Sequence, residues 1–321
     1  MNDLLEKNKV FAEDVKKGLS SQPKFLLSKY FYNQRGDELF QDIMNLEEYY
    51  LTRCEYEILN LQKEDIISGF GTKGLAFNLI ELGAGDGYKT KVLIDFLQLK
   101  EKKFKYIPID ISATVLENLN DDLIINFPGI EVQPIQGDYF KVLKELSHKE
   151  NTLKVLLFLG SNIGNFSEVQ ATAFLKALAE NMTSGDKLLI GFDLKKDPQV
   201  IANAYNDKEG KTRDFNLNLL QRINKELGGN FMLKNFKHYP TYDPSSGQAK
   251  SFLVSNREQT VFIEALGQSY NFSPWETIFM EVSQKYDVSD IRRLASLSGF
   301  IIEQMYFDQK SYFVDSLWKL K

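Results

Sequence analysis

The sequence predicts an α/β protein in which a mainly parallel sheet is covered by helices on both faces, together with a smaller α+β unit. Short, continuous apolar runs alternate with amphipathic segments through the middle of the chain, and strands without a polar face belong to sheets buried on both sides. Between residues 195 and 286 this alternation stops, and strand-like segments follow one another with polar turns between them. A glycine-rich turn after the first apolar run completes the pattern, because doubly wound sheets bind ligands at such turns.

The first two thirds of the chain supply most of the predicted sheet. Residues 1–63 are expected to be helical, because apolar side chains recur at helical spacing around residues 25–30 and 39–44, with a break between helices at residues 30–37. From residue 75 onward, buried strands and helices alternate. The strands are expected at residues 76–82, 105–109, 154–159 and 187–192, and the helices at residues 89–99, 113–125 and 168–179.

The remaining segments divide between a second unit and the completion of the sheet. Helices are expected at residues 198–205 and 216–227, and strands at residues 236–242, 251–254 and 261–266. The tail returns to the earlier pattern, with a helix at residues 288–297 that ends at Ser298-Gly299, a common C-cap, and strands at residues 301–307 and 312–320. These elements assign residues 64–194 and 287–321 to a sheet-forming domain, and residues 1–63 and 195–286 to a smaller domain.

Composition excludes several classes of protein. The chain has 321 residues, which suits one elaborated domain or two, and its net charge of -5 disfavours a nucleic-acid partner. We expect no membrane association, because no run of about 18 apolar residues appears and the polar N-terminus lacks the apolar core of a secretory signal. With Cys54 as its single cysteine and with His148 and His238 far apart, we expect a cytoplasmic monomer without a disulfide or a metal site.

The most specific motif directly follows the first predicted strand. An acidic residue, Glu81, precedes three alternating glycines, Gly83, Gly85 and Gly87, which permit a tight turn and a close approach of the backbone to a ligand. A dinucleotide-binding loop has its third glycine three residues after the second, where this chain has Tyr88, so a nicotinamide-dependent oxidoreductase is disfavoured. The spacing resembles the first motif of the class I methyltransferases, whose loop wraps the methionine part of S-adenosylmethionine. A plain strand-to-helix turn is the alternative interpretation.

Polar residues at the ends of the next strands also favour a nucleoside cofactor. Asp110 could accept both ribose hydroxyls, although it could instead cap the following helix, a task that Ser112 could equally perform. The triplet Gly137-Asp138-Tyr139 places a carboxylate and an aromatic ring where the adenine would lie, although a plain turn is the simpler interpretation. All of these positions lie at the carboxyl ends of strands, where open α/β sheets bind ligands. They predict a class I, Rossmann-like methyltransferase fold with a seven-stranded sheet.

Several segments together resemble the histidine-specific N-alpha-methyltransferases, the family that forms hercynine on the way to ergothioneine. The resemblance covers nearly the whole chain, from about residue 24 to residue 313. The segments read SKYFYNQRGDELF at 28–40, EYYLTR at 48–53, GSNIGN at 160–165, DLKKDP at 193–198 with AYND at 204–207, and EVSQKY at 281–286. No single segment is specific, but the set is.

The resemblance implies a role for each matching residue. It implies S-adenosylmethionine as the methyl donor, held by Gly83, Lys89, Asp110 and Asp138, with Tyr32 near the methionine end; Gly137 and Tyr139 join this set by their position. It implies histidine as the acceptor, with Tyr32 and Tyr49 lining the pocket, Asn165 and Tyr205 holding the amino and carboxylate groups, and Glu281 and Ser283 binding the imidazole. Tyr32 and Asn165 are expected nearest to the reacting atoms.

Ordinary structural roles remain open for three of these residues. By residue type alone, Tyr49 could be a packing residue, Asn165 could cap the helix that begins near Ser167, and Glu281 could be a solvated strand residue.

The chain departs from the family at two places, and the second, at residues 250–251, leaves the substrate open. Leu51 stands where the family usually has proline, and Lys250-Ser251 stands where it usually has an acidic residue and a methionine that packs on the substrate ring. Another amino acid or small amine, such as a tryptophan derivative, is therefore an alternative acceptor. A protein that binds the cofactor without turnover is a second alternative.

Overall fold

The computed structural model describes residues 2–137, 142 and 152–321. The α-helices whose bounds lie within these residues are α1 (Asn2–Ser20), α2 (Gln34–Met44), α3 (Tyr50–Gly69), α4 (Thr90–Leu99), α5 (Ala113–Asn126), α6 (Glu168–Glu180), α7 (Pro198–Ala204), α8 (Lys211–Leu227) and α9 (Val288–Leu297). The strands are β1 (Lys24–Phe25), β2 (Phe77–Leu82), β3 (Phe104–Asp110), β4 (Glu131–Val132), β5 (Ile135–Gln136), β6 (Leu153–Phe158), β7 (Lys187–Asp193), β8 (Phe236–Asp243), β9 (Gln248–Ser255), β10 (Gln259–Ile263), β11 (Gln268–Phe272), β12 (Thr277–Gln284), β13 (Phe300–Phe307) and β14 (Phe313–Leu320).

The chain divides into two compact units. The smaller unit contains Met1–Tyr49 and Asp197–Ser283, and the larger unit contains Tyr50–Lys196 and Gln284–Lys321. The predicted boundaries differ most at residues 50–63, which were assigned to the smaller domain but form the first part of α3 in the larger unit. The reason is packing, because α3 lies against α4 and β14 and buries apolar residues such as Ile58 and Leu59.

One mixed sheet organises the larger unit. Its strand order is β13-β14-β7-β6-β2-β3-β4, and β5 also pairs with β3. Strands β2 to β7 run parallel to one another, whereas β14 is antiparallel to both β7 and β13. The two-residue strands β4 and β5 share one edge position, so the eight strands described here fill the predicted seven positions. The predicted fold class, a Rossmann-like α/β methyltransferase sheet, is confirmed.

Continuous apolar strands bury the sheet on both faces, as expected. All six residues of β2 are buried, and so are six of the seven residues of β7. The core includes Ile80, Ile107, Leu156 and Ile190 from the parallel strands and Trp318 from β14. Helix starts are fixed by side-chain caps, since α6 and α9 each begin with a reciprocal capping box.

The smaller unit combines helices with antiparallel strands. A four-stranded sheet has the order β1-β12-β9-β8, and β10 pairs with β11 in a separate hairpin. On β9 the residues Ala249, Ser251, Leu253 and Ser255 are buried and alternate with half-buried neighbours. Helices α1 and α8 supply apolar side chains to a core shared with this sheet.

The predicted helix around residues 25–30 is wrong. Lys24 and Phe25 pair in parallel with Ile278 and Phe279 of β12, and Ser28–Tyr30 forms one turn of 3-10 helix. The main-chain hydrogen bonds of this segment therefore go to a strand that lies far away in the sequence. Apolar spacing over six residues does not distinguish such a short strand and turn from a helix.

Candidate active site

The loop between β2 and α4 carries the three glycines of the predicted cofactor motif. Gly83, Gly85 and Gly87 have φ angles of 73°, 56° and 64°, in the left-handed region that glycine adopts without strain. A Cβ atom at Gly85 would meet nothing within 4 Å, so the backbone borders open space there. At Gly87 a Cβ atom would lie 2.7 Å from the side chain of Leu119, so this glycine allows α5 to pack closely. The loop combines a tight turn with an open backbone, which suits a ligand held by main-chain groups.

Asp110 ends β3 and faces the glycine loop. Its Oδ2 accepts the Gly85 N–H at 3.1 Å, and its Oδ1 accepts the Ser112 N–H at 3.0 Å. Ser112 caps α5, because its hydroxyl accepts the Val115 N–H, so the interpretation of Asp110 as the N-cap is wrong. The half-buried carboxylate keeps lone pairs that can accept the ribose hydroxyls of a nucleoside.

The third predicted cofactor segment is described only in part. The Gly137 N–H donates to the Asp110 carbonyl at 3.0 Å, so residue 137 lies beside the end of β3. Asp138 and Tyr139 lie outside the described residues. Their contact with the adenine stays a prediction. The open glycine backbone and the Asp110 carboxylate nevertheless fit the methionine and ribose parts of S-adenosylmethionine.

Glu81, the acidic residue ahead of the loop, has a structural role. Its side chain is buried, the Thr90 hydroxyl donates to Oε1 at 2.6 Å, and the Tyr106 hydroxyl donates to Oε2. Burial raises the pKa of Glu81 to about 7, although both hydrogen bonds act in the opposite direction. The carboxyl group therefore ties β2 and β3 to the first turn of α4, and it does not face a ligand.

Lys89 follows the glycine loop and is held by a residue that the sequence did not indicate. Its ammonium binds Oε2 of Glu55, a fully buried side chain on α3. The two oxygens of Glu55 also accept the Gly160 N–H, at 2.7 and 2.9 Å. Helical spacing is the sequence feature that could have identified Glu55, because Leu51, Glu55 and Ile58 share the buried face of α3.

The loop after β6 carries Asn165. Gly160 and Ser161 have φ angles of 78° and 54°, and the Ser161 hydroxyl accepts the Asp193 N–H at 3.0 Å. Helix α6 is capped by Ser167, so the capping interpretation of Asn165 is wrong. The exposed Asn165 side chain ends a short 3-10 helix near the carboxyl end of β6, where a ligand-binding residue is expected.

In the smaller unit, two predicted substrate residues meet. The Tyr205 hydroxyl donates to the Ser283 hydroxyl at 2.9 Å, which joins the end of α7 to β12. Ser283 is buried, and Glu281 lies two residues earlier on the same strand and is half-buried. A phenol, a hydroxyl and a carboxylate therefore occupy neighbouring positions, and together they can bind the polar groups of an amino acid.

Tyr32 and Tyr49 belong to an aromatic cluster. The ring centroid of Phe40 lies 5.7 Å from that of Tyr32 and 6.3 Å from that of Tyr49, both in edge-to-face geometry. Tyr32 also packs on Phe215 at 5.7 Å. Both tyrosines are half-buried, so packing accounts for one side of each ring. Their role beside the cofactor and the substrate stays a prediction.

Ser251, at the position where the family usually has methionine, has an unexpected neighbour. It is buried on β9, and its hydroxyl lies 3.5 Å from Nε2 of His238 on β8. Burial lowers the pKa of His238 to about 4, so the imidazole is neutral near pH 7. This histidine was missed because the two residues approach each other only through the pairing of β8 with β9.

Comparison with known proteins decides the family. The chain matches the sequence profile of the histidine-specific, S-adenosylmethionine-dependent methyltransferases over residues 11–320. The chain belongs to this family. It is therefore a methyltransferase enzyme that uses S-adenosylmethionine, as the glycine loop and Asp110 predict.

Named relatives of this methyltransferase act on two kinds of amino acid. A histidine N-alpha-methyltransferase from Mycolicibacterium smegmatis is 37% identical over 85% of this chain and 83% of that protein. Ergothioneine biosynthesis protein 1 of Schizosaccharomyces pombe is 29% identical over 88% of this chain, which corresponds to 37% of that longer protein. An L-tryptophan methyltransferase from Psilocybe serbica is 28% identical over 93% of this chain and 90% of that protein.

The described residues also bear on metal binding and on membrane insertion. Within residues 2–137, 142 and 152–321, no group of three or more histidine, cysteine, aspartate or glutamate side chains could hold a metal ion. None of the described helices is long and apolar enough to cross a membrane.

Proposed function

We propose that this methyltransferase transfers methyl groups from S-adenosylmethionine to the α-amino group of L-histidine, giving N-alpha-trimethylhistidine. Membership of the histidine-specific family and the 37% identical relative support the substrate. The structural observation that carries the proposal is the Tyr205–Ser283 hydrogen bond beside Glu281 on β12. A carboxylate next to hydroxyl groups suits a ring with two hydrogen-bonding nitrogens, and an imidazole has two such nitrogens whereas an indole has one.

The chemistry asks little covalent participation of the protein. When bound, the cofactor supplies a methyl group already activated by its sulfonium. The residues of this chain then bind and orient both partners: Asp110 and the Gly83–Gly87 loop at the cofactor, and Asn165, Tyr205, Ser283 and Glu281 at the amino acid. Alignment of nitrogen, methyl and sulfur, together with exclusion of water, provides the rate enhancement.

Methylation of another amine, tryptophan in particular, is the second candidate function. Ser251 removes the methionine that the family packs against the substrate ring, and a small side chain leaves more space for a large ring. The 28% identical tryptophan methyltransferase is a relative in which that substrate is used. The retained Glu281 and Ser283 favour histidine over tryptophan.

A mass-spectrometric turnover assay with S-adenosylmethionine tests the proposal. Histidine, tryptophan and the other amino acids are compared at equal concentration, and a histidine product heavier by three methyl groups is expected. A Glu281→Gln variant should lose activity with histidine, whereas Glu258→Gln, which changes an exposed carboxylate of the same unit, should not. Trimethylation of tryptophan with no histidine product would contradict the substrate assignment and leave the cofactor assignment intact.

We also propose that the enzyme is a cytoplasmic monomer that needs no nucleic acid or membrane. A net charge of -5 supports the absence of a nucleic-acid partner, and a single cysteine supports the cytoplasmic location.

A further inference from the structure

A buried cluster on the larger unit connects α3 to two loops that carry predicted site residues. Its centre is Glu55, whose side chain is fully buried. The carboxylate accepts the Gly160 N–H with both oxygens and binds the ammonium of Lys89. One side chain therefore fixes the residue after the glycine loop and the backbone after β6. Nothing in the sequence motifs assigns a function to it.

The neighbouring strands leave room for this carboxylate. A Cβ atom on Gly191 of β7 would come within 3.0 Å of Oε1 of Glu55, so the strand needs glycine there. Asp315 is the partner of Gly191 across β7 and β14, and it is also fully buried. Burial first, and then the charge of Glu55, raises the pKa of Asp315 well above its ordinary value. Glu55 is the carboxylate that forms the ion pair with Lys89.

Lys89 has one side buried and another accessible. Its side chain is 19% exposed, whereas the Glu55 side chain is 0% exposed. An ammonium has three N–H donors that point in different directions, so the bond to Glu55 leaves donors for a second partner. An ammonium buried to this extent without a counterion would be costly, and Glu55 removes that cost before a ligand arrives. Lys89 is thus charged and fixed in position in the absence of ligand.

The chemistry of the cofactor identifies the second partner. S-adenosylmethionine and its product S-adenosylhomocysteine carry one anionic group at neutral pH, the carboxylate of the amino-acid part. A lysine that follows a loop with an open backbone at Gly85 can complement that carboxylate. An unbalanced lysine would instead repel the sulfonium and the ammonium of the cofactor, so its counterion also matters for binding.

We propose that Glu55 is a positioning residue for the cofactor, which holds Lys89 where its ammonium binds the amino-acid carboxylate of S-adenosylmethionine. The proposal rests on the assignment of Lys89 to the cofactor site. It deepens the proposed function without depending on which amine is methylated.

Calorimetric titration with two ligands tests the proposal. S-adenosylhomocysteine contains the amino-acid part, and 5′-methylthioadenosine shares the adenosine and the thioether but lacks the amino-acid part. In Glu55→Gln, the Kd of S-adenosylhomocysteine should rise about tenfold or more, while that of methylthioadenosine changes less than about twofold. Glu64→Gln, the same substitution at an exposed position of α3, should change neither Kd.

A double-mutant cycle shows whether Glu55 acts through Lys89. Lys89→Met should weaken S-adenosylhomocysteine selectively, and adding Glu55→Gln to it should cause little further loss. Equal weakening of both ligands in Glu55→Gln, or full additivity with Lys89→Met, would overturn the positioning role. An unchanged affinity in Lys89→Met would overturn the assignment of Lys89 itself. If Glu55→Gln does not fold, Glu55→Asp replaces it, because this variant keeps the charge but places it farther from Lys89. It should weaken S-adenosylhomocysteine selectively, to a smaller degree. Equal weakening of both ligands would again overturn the positioning role.

These outcomes are separate from the identity of the acceptor. A selective loss of S-adenosylhomocysteine affinity in Glu55→Gln, together with no turnover of histidine by the native enzyme, would support the positioning role of Glu55. The same result would contradict the assignment of histidine as the acceptor.

Discussion

Two buried carboxyl groups of the larger unit, those of Glu81 and Asp315, respond to pH in the same direction. Burial raises the pKa of Glu81 to about 7 and the pKa of Asp315 well above its ordinary value. In each case the folded protein keeps a proton that the unfolded chain has already released. The stability from such a group is fully present below its unfolded pKa and is lost as the pH rises through its folded pKa.

Glu81→Gln tests this linkage. The native protein should lose stability relative to the variant between pH 4.5, the ordinary pKa of the group, and about 7. Chemical denaturation at pH 5 and pH 8 measures the difference in unfolding free energy between the two proteins. The unfolding free energy of the variant relative to that of the native protein should be higher at pH 8 than at pH 5. At both pH values an amide fits the Thr90 and Tyr106 donors less well than the native carboxyl group does. A difference that does not vary with pH would contradict the raised pKa.

Tyr205→Phe tests the substrate side. The variant loses the hydroxyl that donates to Ser283, and a neutral hydrogen bond corresponds to roughly a 2- to 10-fold effect. The KM for the amino acid should rise by this factor, while the Kd of S-adenosylhomocysteine should stay the same. Tyr239→Phe, an exposed tyrosine of the same unit, is the matched control. An equal loss of cofactor affinity in Tyr205→Phe would mean that Tyr205 supports the fold and not the substrate.

Proton removal from the amine should govern the pH dependence of turnover. The attacking nitrogen must be neutral, and an amide such as that of Asn165 does not titrate. His238 of the smaller unit is a weak proton acceptor near neutral pH, because burial lowers its pKa to about 4. We therefore expect kcat/KM to rise from pH 6 to pH 9 as the amine loses its proton to water or a nearby tyrosine. A value of kcat/KM that does not change between pH 6 and pH 9 would contradict this expectation.

Single residues differ in how far their sequence context reveals them. The glycine loop and Asp110 were predictable, because both follow strands whose apolar runs are easy to identify. Glu55 and Asp315 were not predicted, because their carboxyl groups meet only after α3 has packed against β14. His238 was not predicted as a neighbour of Ser251 for the same kind of reason, since the register of β8 and β9 joins them.

At the level of elements, the contact between α3 and β7 depends on the absence of a side chain. Gly191→Ala should displace the carboxylate of Glu55, because the added Cβ atom and Oε1 cannot both occupy that space. Overpacking of this kind costs about 1–3 kcal/mol of unfolding free energy. Urea denaturation measures this loss of unfolding free energy in three proteins: Gly191→Ala, Glu55→Ala and the double variant. The loss from Gly191→Ala should shrink in the Glu55→Ala background, and simple additivity would contradict direct contact.

Long elements of the larger unit were predicted closely, whereas short strands and several elements of the smaller unit were not. In the smaller unit α8 and β9 begin before their predicted starts at residues 216 and 251, and β11 and β12 were not predicted. The predicted helix at residues 288–297 matches α9, and the buried strands differ from β2, β3, β6 and β7 by one residue at most at each end. By contrast, β1 has two residues and owes its existence to pairing with β12, and β4 and β5 owe theirs to pairing with β3. Local sequence cannot specify strands whose partners are supplied by other parts of the chain.

At the scale of the molecule, each compact unit is assembled from two separate stretches of chain. The chain passes from one unit to the other after residues 49, 196 and 283. Composition revealed the change near residue 195, where the strand-helix alternation stops. It did not reveal that residues 50–63 pack with the larger unit, because an amphipathic helix does not indicate which core it covers.

The proposed monomer makes a prediction for the intact protein. Size-exclusion chromatography with light scattering should give a mass near 37.0 kDa. The mass should stay the same when S-adenosylhomocysteine is added, because the residues assigned to the cofactor belong to one chain. A mass near twice this value at micromolar concentration would contradict the proposal.

The position of β14 has a consequence for synthesis on the ribosome. This strand follows every other strand of its sheet in the chain, yet it lies between β7 and β13 and brings Trp318 into the core. While the nascent chain is growing, the apolar strand β7 has an unpaired edge until β14 emerges. At roughly 5–20 residues per second, the intervening residues take on the order of ten seconds to make. Exposed strand edges of this kind can pair with other chains, so the nascent chain is open to aggregation during that interval.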